Sequence, residues 1–313
     1  AGGSGTDKVM FDEDVSSLTS SLSTTDHSVS GVETLEVEAK LANAVDTSIG
    51  RTVEADLIAD ITTIQLDIAN ADTTDSGGLG DDSGITVNDI VDETIEIQAL
   101  DGTANAADNQ LTVSVNLKTD TGDSDSISLK TKVPSTGTVT TLDSLTIGSS
   151  DGGSTANTLP EIVNLEIATV DDASANDGTT IRALDGQYSE TLNITGSGDA
   201  TINSIELRDP SGTTTSVINA GTSTGNLTLG IATAGSESGF KTTAADTVSL
   251  TLGSGTNSVT YWTEALTADV ITATAGTADT VKIKEGATDL EMTIDGVEDL
   301  ELYGAGASKV IST

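Results

Sequence analysis

Apolar and polar positions alternate along this chain in short bursts, and the bursts repeat a phrase. Val32-Glu33-Thr34-Leu35-Glu36-Val37, Ile162-Val163-Asn164-Leu165-Glu166-Ile167, Ile202-Asn203-Ser204-Ile205-Glu206-Leu207 and Val297-Glu298-Asp299-Leu300-Glu301-Leu302 share one order of residue types. Each sets an aliphatic, a spacer, a small polar residue, an aliphatic, an acid and a final aliphatic. A period of two sends neighbouring side chains to opposite faces of a strand. Leu35 and Val37, or Leu300 and Leu302, are therefore expected in the core, with Glu36 and Glu301 facing outward or meeting a neighbouring subunit. A second phrase, a small residue and an aspartate leading into alternation, occurs at Thr6-Asp7-Lys8-Val9-Met10-Phe11, Ser124-Asp125-Ser126-Ile127-Ser128-Leu129 and Ala278-Asp279-Thr280-Val281-Lys282-Ile283. A degenerate repeat of acid-flanked strands predicts stacked β-structure in place of a single catalytic pocket.

Further alternating segments run over Thr63–Ala69, Thr94–Leu100, Leu111–Leu117 and Ile127–Val133, bounded by Asp, Gly or Asn turns. Beyond Thr191 the strands shorten and the turns crowd together. One stretch breaks the pattern. From Glu38 to Ile61, apolar residues fall at every fourth position (Leu41, Val45, Ile49, Val53, Leu57, Ile61), which predicts helix, split in two by Gly50. The expected fold is all-β: a parallel β-solenoid or strand-stack, with one or two β-sandwich-like portions and little helix. A soft boundary at Pro134-Ser135-Thr136-Gly137 divides an N-terminal β-rich portion, residues 1–133, from a C-terminal solenoid-like portion, residues 134–313.

Composition narrows the chemistry. Aromatic content is 2%, so Val, Ile, Leu, Ala and Thr must fill the core, as suits thin layers of strands. Fifty acidic residues against 12 basic ones leave a net charge of -38, which argues against a nucleic-acid partner. A folded chain with so many carboxylates must spread them, screen them with salt or bind cations. Calcium suits Asp and Asn oxygens. No cysteine is present, so disulfides and thiolate metal sites are excluded, and together with few Lys and many Thr and Gly this predicts an extracellular, bacterial surface protein. No apolar run is long enough to span a bilayer. The first repeat phrase begins almost at residue 1, as expected for a segment cut from a longer polypeptide.

The candidate calcium ligands are Asp7, Asp75, Asp81, Asp82, Asp123, Asp125, Asp246, Asp269 and Asp279, which gather at turns where carboxylates and backbone carbonyls can converge. Aspartate also favours turns for its own hydrogen bonds. Catalysis has weaker support. The single histidine, His27, has no Gly-x-Ser-x-Gly serine to serve. Only three arginines are present, Arg51, Arg182 and Arg208, and the aromatics suited to stacking on sugars reduce to Tyr261 and Trp262. The expectation is a protein that is not an enzyme. Two sequons, Asn193-Ile194-Thr195 and Asn226-Leu227-Thr228, are glycan acceptors in a suitable host. Threonine runs such as Thr272-Ala273-Thr274 show no sustained period for a flat ice-binding face.

The pairing of Gly5-Thr6-Asp7-Lys8-Val9 with Gly31-Val32-Glu33-Thr34-Leu35-Glu36-Val37, echoed by Ala278-Asp279-Thr280-Val281 with Gly296-Val297-Glu298-Asp299-Leu300-Glu301-Leu302, resembles units of Gram-negative surface-layer proteins and related calcium-dependent adhesins. Ser216-Val217-Ile218-Asn219-Ala220 with Gly225-Asn226-Leu227-Thr228-Leu229 is similar to another of their segments. The middle copies depart from the pattern, because Val163 and Asn203 stand where the outer ones carry Glu33 and Glu298. The run of nonapeptide repeats found in the calcium-roll portion of such proteins is missing. The resemblance implies a secreted, β-rich, calcium-dependent protein that joins copies of itself into a lattice or sheath, with cell-surface polysaccharide as a further partner. An adhesin segment binding a host or abiotic surface is the alternative.

Overall fold

The computed structural model describes residues 6–14, 31–41, 50–57, 60–70, 82–100, 110–118, 125–132, 139–149, 160–168, 178–186, 189–207, 215–230, 240–241, 247–261, 269–274, 276, 278–284 and 292–303. The alternating segments form strands of two long sheets. The first sheet stacks, in order, β1 (Lys8–Asp14), β2 (Thr34–Leu41), β4 (Thr63–Asn70), β6 (Thr94–Leu100), β8 (Ser126–Thr131), β10 (Ile162–Ile167), β12 (Thr191–Gly196), β15 (Thr215–Asn219), β18 (Thr247–Leu252), β20 (Val270–Ala273) and β22 (Thr293–Asp295). The second runs from β3 (Gly50–Glu54) through β5 (Asp82–Ile90), β7 (Gln110–Leu117), β9 (Val139–Ser149), β11 (Gly178–Asp185), β13 (Asp199–Ile202), β16 (Leu227–Leu229), β19 (Ser258–Tyr261) and β21 (Thr280–Lys284) to β23 (Asp299–Tyr303), with two short strands, β14 (Ile205–Glu206) and β17 (Phe240–Lys241), beside that path. Every pairing among the described strands is parallel. The chain thus winds as a parallel β-solenoid, its described strands from β2 onward passing back and forth between the two sheets.

Small aliphatics suffice because the core is built of columns. In the first sheet Val9, Leu35, Ile64, Ile95, Leu129, Leu165 and Ile194 stand in one register line. A second line carries Ile127, Val163, Leu192, Ile218, Leu250, Ile271 and Ile294. Facing them in the second sheet are Leu142, Ile181, Ile202, Leu229, Val259, Val281 and Leu300. Most of these side chains are buried, in a single apolar cluster between the sheets. Each buried Val, Leu or Ile contributes about 1.5–3 kcal/mol relative to exposure.

The structure corrects the helix expected over Glu38–Ile61 for the described part of that stretch; residues 42–49 and 58–59 lie outside the described residues. Its described parts are the end of β2, the strand β3 and a single 3-10 turn at Ala55–Leu57. Apolar residues four apart also share one face of a strand, since four is a multiple of two, and Val53 is buried within β3 accordingly. The β-sandwich-like portions are likewise absent among the described residues, where no antiparallel pair occurs. Pro134–Gly137 lies outside the described residues between β8 and β9, and both sheets run on from one side of it to the other.

The repeat phrase meets its expected faces at Leu35 and Val37, which are buried, while Glu36 lies on the outer face and pairs with Lys8 at 2.6 Å. At the other end Leu300 is half-buried and Leu302 is 36% exposed. The reason is position: β23 is the last strand of its sheet and has only one neighbour on the path. The phrase also serves both sheets, its first and second copies in the first sheet and its third and fourth in the second. Both sheets pack one face against the shared apolar core, so both make the same period-two demand.

Candidate functional site

The two recurring phrases turn out to be neighbouring strands of one sheet, stacked a coil apart. Thr34 pairs with Lys8, Ile162 with Ser126 and Asp299 with Thr280. Each pair is fastened at the strand entrance by a glutamate. Asp7 N–H donates to Glu33 Oε2 at 2.7 Å, Asp125 N–H to Glu161 Oε2 at 2.9 Å and Asp279 N–H to Glu298 Oε2 at 2.8 Å. Meanwhile the aspartate carbonyl accepts a backbone N–H from the later coil, as in Thr34 to Asp7 at 3.1 Å, Ile162 to Asp125 at 3.1 Å and Asp299 to Asp279 at 3.0 Å.

In the repeat phrase Val163 stands where Glu33 stands in the first copy. Register resolves the difference, because Glu161 occupies the capping position and the middle copy is read two residues along. A slip of two keeps the same face inward.

The same device extends beyond the phrases. In the second sheet Leu227 N–H donates to Asn257 Oδ1 at 3.2 Å, Asn257 N–H to Asp279 Oδ1 at 2.9 Å and Asp279 N–H to Glu298, so three successive coils are capped in line. In the first sheet Val248 N–H donates to Asp269 Oδ1 at 2.8 Å. A buried N–H without an acceptor is costly, and a carboxylate supplies the stronger, charge-assisted bond.

These contacts give the expected ligands their places. Asp7, Asp125 and Asp269 sit at strand entrances of the first sheet and Asp279 at a strand entrance of the second. Asp269 is fully buried and also accepts from Tyr261 Oη at 2.7 Å, which puts Tyr261 in the core and away from any sugar-stacking surface. Asp279 is fully buried too; its Oδ1 accepts from Asn257 Nδ2 at 2.9 Å, and a Cβ at Gly276 would run into the carboxylate. Asp7 Oδ2 and Asp279 Oδ2 are buried oxygens with no hydrogen-bond partner. Asp82 opens β5, but its side chain lies outside the described residues, as do Asp75, Asp81, Asp123 and Asp246. Among the described residues, no three His, Cys, Asp or Glu side chains gather as a metal centre.

Electrostatics differ from cap to cap. Burial pushes the Glu161 carboxyl above its ordinary range, and the charges of Asp125 and Glu190 add to this, against the lowering effect of its backbone hydrogen bonds. Glu96, on the outer face, moves the other way: burial alone would raise it, but hydrogen bonds from Lys132 and Gln65 and the charges of Lys132 and Lys130 hold it lower.

The outer faces are ordered as well. Asn193 donates to Asn164 Oδ1 at 2.8 Å and accepts from Asn219 Nδ2 at 3.4 Å, so the first sequon's amide belongs to a side-chain ladder. Asn226 of the second sequon is exposed, and its Oδ1 accepts from Thr256 N–H at 2.8 Å. On the second sheet Thr141, Thr180, Thr201, Thr228, Ser258 and Thr280 stand in one column. This hydroxyl line has a period in space that unequal coil lengths hide in the sequence. His27 and Trp262 lie outside the described residues.

No helix among the described residues is long and apolar enough to cross a membrane. No family model, no curated protein and no solved structure matches the chain.

Proposed function

We propose that this chain is a structural protein of the cell surface, exported and self-associating into a lattice, sheath or filament, in which calcium joins acidic loops that would otherwise repel. The observation that carries this reading is a solenoid whose acidic strand-entrance residues are engaged coil to coil and whose surface must still accommodate a net charge of -38. An ion shared between two acidic surfaces removes charge from both, which a monovalent salt does only by screening. Asp75, Asp81, Asp82, Asp123 and Asp246 are the bridging ligands in this reading, and the orphaned Asp279 Oδ2 offers one further buried oxygen. It assigns the protein no catalytic role.

Electron micrographs and thermal unfolding of the purified chain, with calcium and with EGTA, test the proposal. Ordered assemblies that disperse on chelation, with a lower unfolding midpoint, are expected; assembly and midpoint unchanged by EGTA refute the calcium mechanism. The hydroxyl column on the second sheet favours a second reading, an adhesin segment that presents a regular polar strip to a host or abiotic surface. A monodisperse monomer with a specific glycan or protein ligand would select it.

A further inference from the structure

One column on the outer face of the first sheet crosses all of its described strands. It starts at Lys8 on β1, passes Thr34 on β2 and Asn164 on β10, and reaches Thr272 on β20 and Asp295 on β22. Between the two charged members every residue is Thr, Ser or Asn, in a chain whose charged fraction is 20%. No member of the column is buried. Beside it, from β8 onward, runs a second outward column that carries no charge either and sets half-buried Ile162, Val217 and Val270 among Ser and Thr.

A molecule with a net charge of -38 repels its copies, and an uncharged strip lets two of them meet without setting carboxylate against carboxylate. The charged members of the column choose the orientation. A two-fold axis along the stack would lay Lys8 on Lys8 and Asp295 on Asp295. A two-fold axis along the strands reverses one stack against the other and lays Lys8 on Asp295 at both flanks, which is the complementary arrangement. Asp295 is exposed, and Lys8 keeps 44% of its side chain in solvent beside Glu36. Two outward positions on each of eleven strands, about 4.8 Å apart between strands and roughly 7 Å along them, make a strip of roughly 700 Å² per copy and about 1,400 Å² in the pair, the size of a specific interface. The contact is a face and not a sheet edge, so strands beyond β1 or β22 leave it in place.

Resting on the self-association proposed above, we infer that the outer face of the first sheet is an interface on which a second copy of this chain packs with its stack reversed. The two-fold axis falls on β10, midway between β1 and β22 in strand order. Asn164 then faces Asn164 of the second copy: its Oδ1 accepts from Asn193 at 2.8 Å, and its Nδ2 donates across the axis. Ile162 meets Ile162 and puts an apolar contact at the centre. Glu166 also meets its copy, but each is paired with Lys130 at 2.9 Å, so the four charges balance. Towards either flank Thr34 lies over Thr272. A contact of this kind closes on itself, so it forms a pair and leaves further growth to other surfaces.

Single cysteines test the geometry, because the chain has none of its own. Asn164→Cys, Thr34→Cys and Thr272→Cys are made in the full chain, and circular dichroism verifies that each folds. At a calcium level that supports assembly, a short bismaleimide then bridges thiols on faces that pack roughly 10 Å apart. Asn164→Cys alone is expected to shift from 31.5 kDa to twice that mass on a denaturing gel, and Thr34→Cys and Thr272→Cys only when the two are mixed before calcium is added. Ser128→Cys mixed with Asn193→Cys repeats the central contact with Asn164 intact. Self-linking of Thr34→Cys or Thr272→Cys, or failure of the mixed pairs to link, overturns the reversed packing. Assemblies in which no variant links overturn this face and leave an array built through others. A parent chain that stays monomeric with calcium overturns the pair and the self-association together.

Discussion

Replacing Glu161 tests whether the strand-entrance acids are fasteners between coils. Its Oε2 accepts the Asp125 N–H at 2.9 Å, and the Glu161→Ala change removes that acceptor from a part-buried N–H. A donor left unsatisfied in this way costs about 1–3 kcal/mol, so local opening should speed exchange of the Asp125 amide roughly 5- to 150-fold. Glu161→Gln separates hydrogen bonding from charge. The amide keeps an oxygen for Asp125 and relieves a carboxyl that burial, Asp125 and Glu190 all disfavour as an anion, so Asp125 protection should stay within a few-fold of the parent. Native-state hydrogen exchange followed by NMR suits the question better than global melting, because a stacked-coil protein need not unfold in one step. Unchanged Asp125 protection in Glu161→Ala, or equal losses in the Ala and Gln variants, would refute the capping role.

Two other outcomes follow from the geometry. At one corner Gly198, Gly225 and Gly255 stack so closely that a Cβ at Gly255 would fall on the Gly225 carbonyl, whereas one at Gly221 meets only the Thr251 and Asn219 side chains, at 3.2 and 3.5 Å. Gly255→Ala should therefore lower stability by about 1–3 kcal/mol in denaturant unfolding while Gly221→Ala leaves it nearly unchanged, and equal effects would contradict the close packing. The acids Glu96 and Glu161 predict opposite pH responses. The pKa of Glu96 is lowered, so its contribution is present above the ordinary carboxylate value and lost as pH falls through the folded value; that of Glu161 is raised, so its contribution is complete below the ordinary value and lost as pH rises through the folded one. Unfolding measured from pH 3 to 7 should accordingly show Lys132→Met weakening the loss of stability at the acid end and Glu161→Gln removing a loss of stability toward neutrality, with no change at either end speaking against the assignment.

The solenoid was legible because it rests on the shortest pattern a chain can carry. Leu35 and Val37, or Val163 and Leu165, announce their face by alternation alone, and a parallel stack needs little more. The stretch from Glu38 to Ile61 shows the limit of that signal: a step of four between apolar residues satisfies a helix and a strand equally well, and Val53 lies in a strand. The acids were visible at the turns, yet their role depends on register, which no single strand contains. Glu161 was missed because only the pairing of Ile162 with Ser126 sets it over Asp125. The available signal was an acid immediately preceding alternation, present at Glu33, Glu161 and Glu298 alike. The Thr141 to Thr280 column was hidden for a related reason, since coils of unequal length scatter its members along the chain.

The caps span 26, 36 and 19 residues in the three units, one coil in each case. No strand pairing among those described ties the first coil to the last. Length is consequently not a property this fold enforces: a closed barrel must keep its strand number, but here a coil gained or lost changes only how far the stack extends. Evolution can treat such a molecule as a ruler, lengthened or shortened by whole coils, provided each new strand brings an inward aliphatic pair and an acceptor for the N–H beneath it.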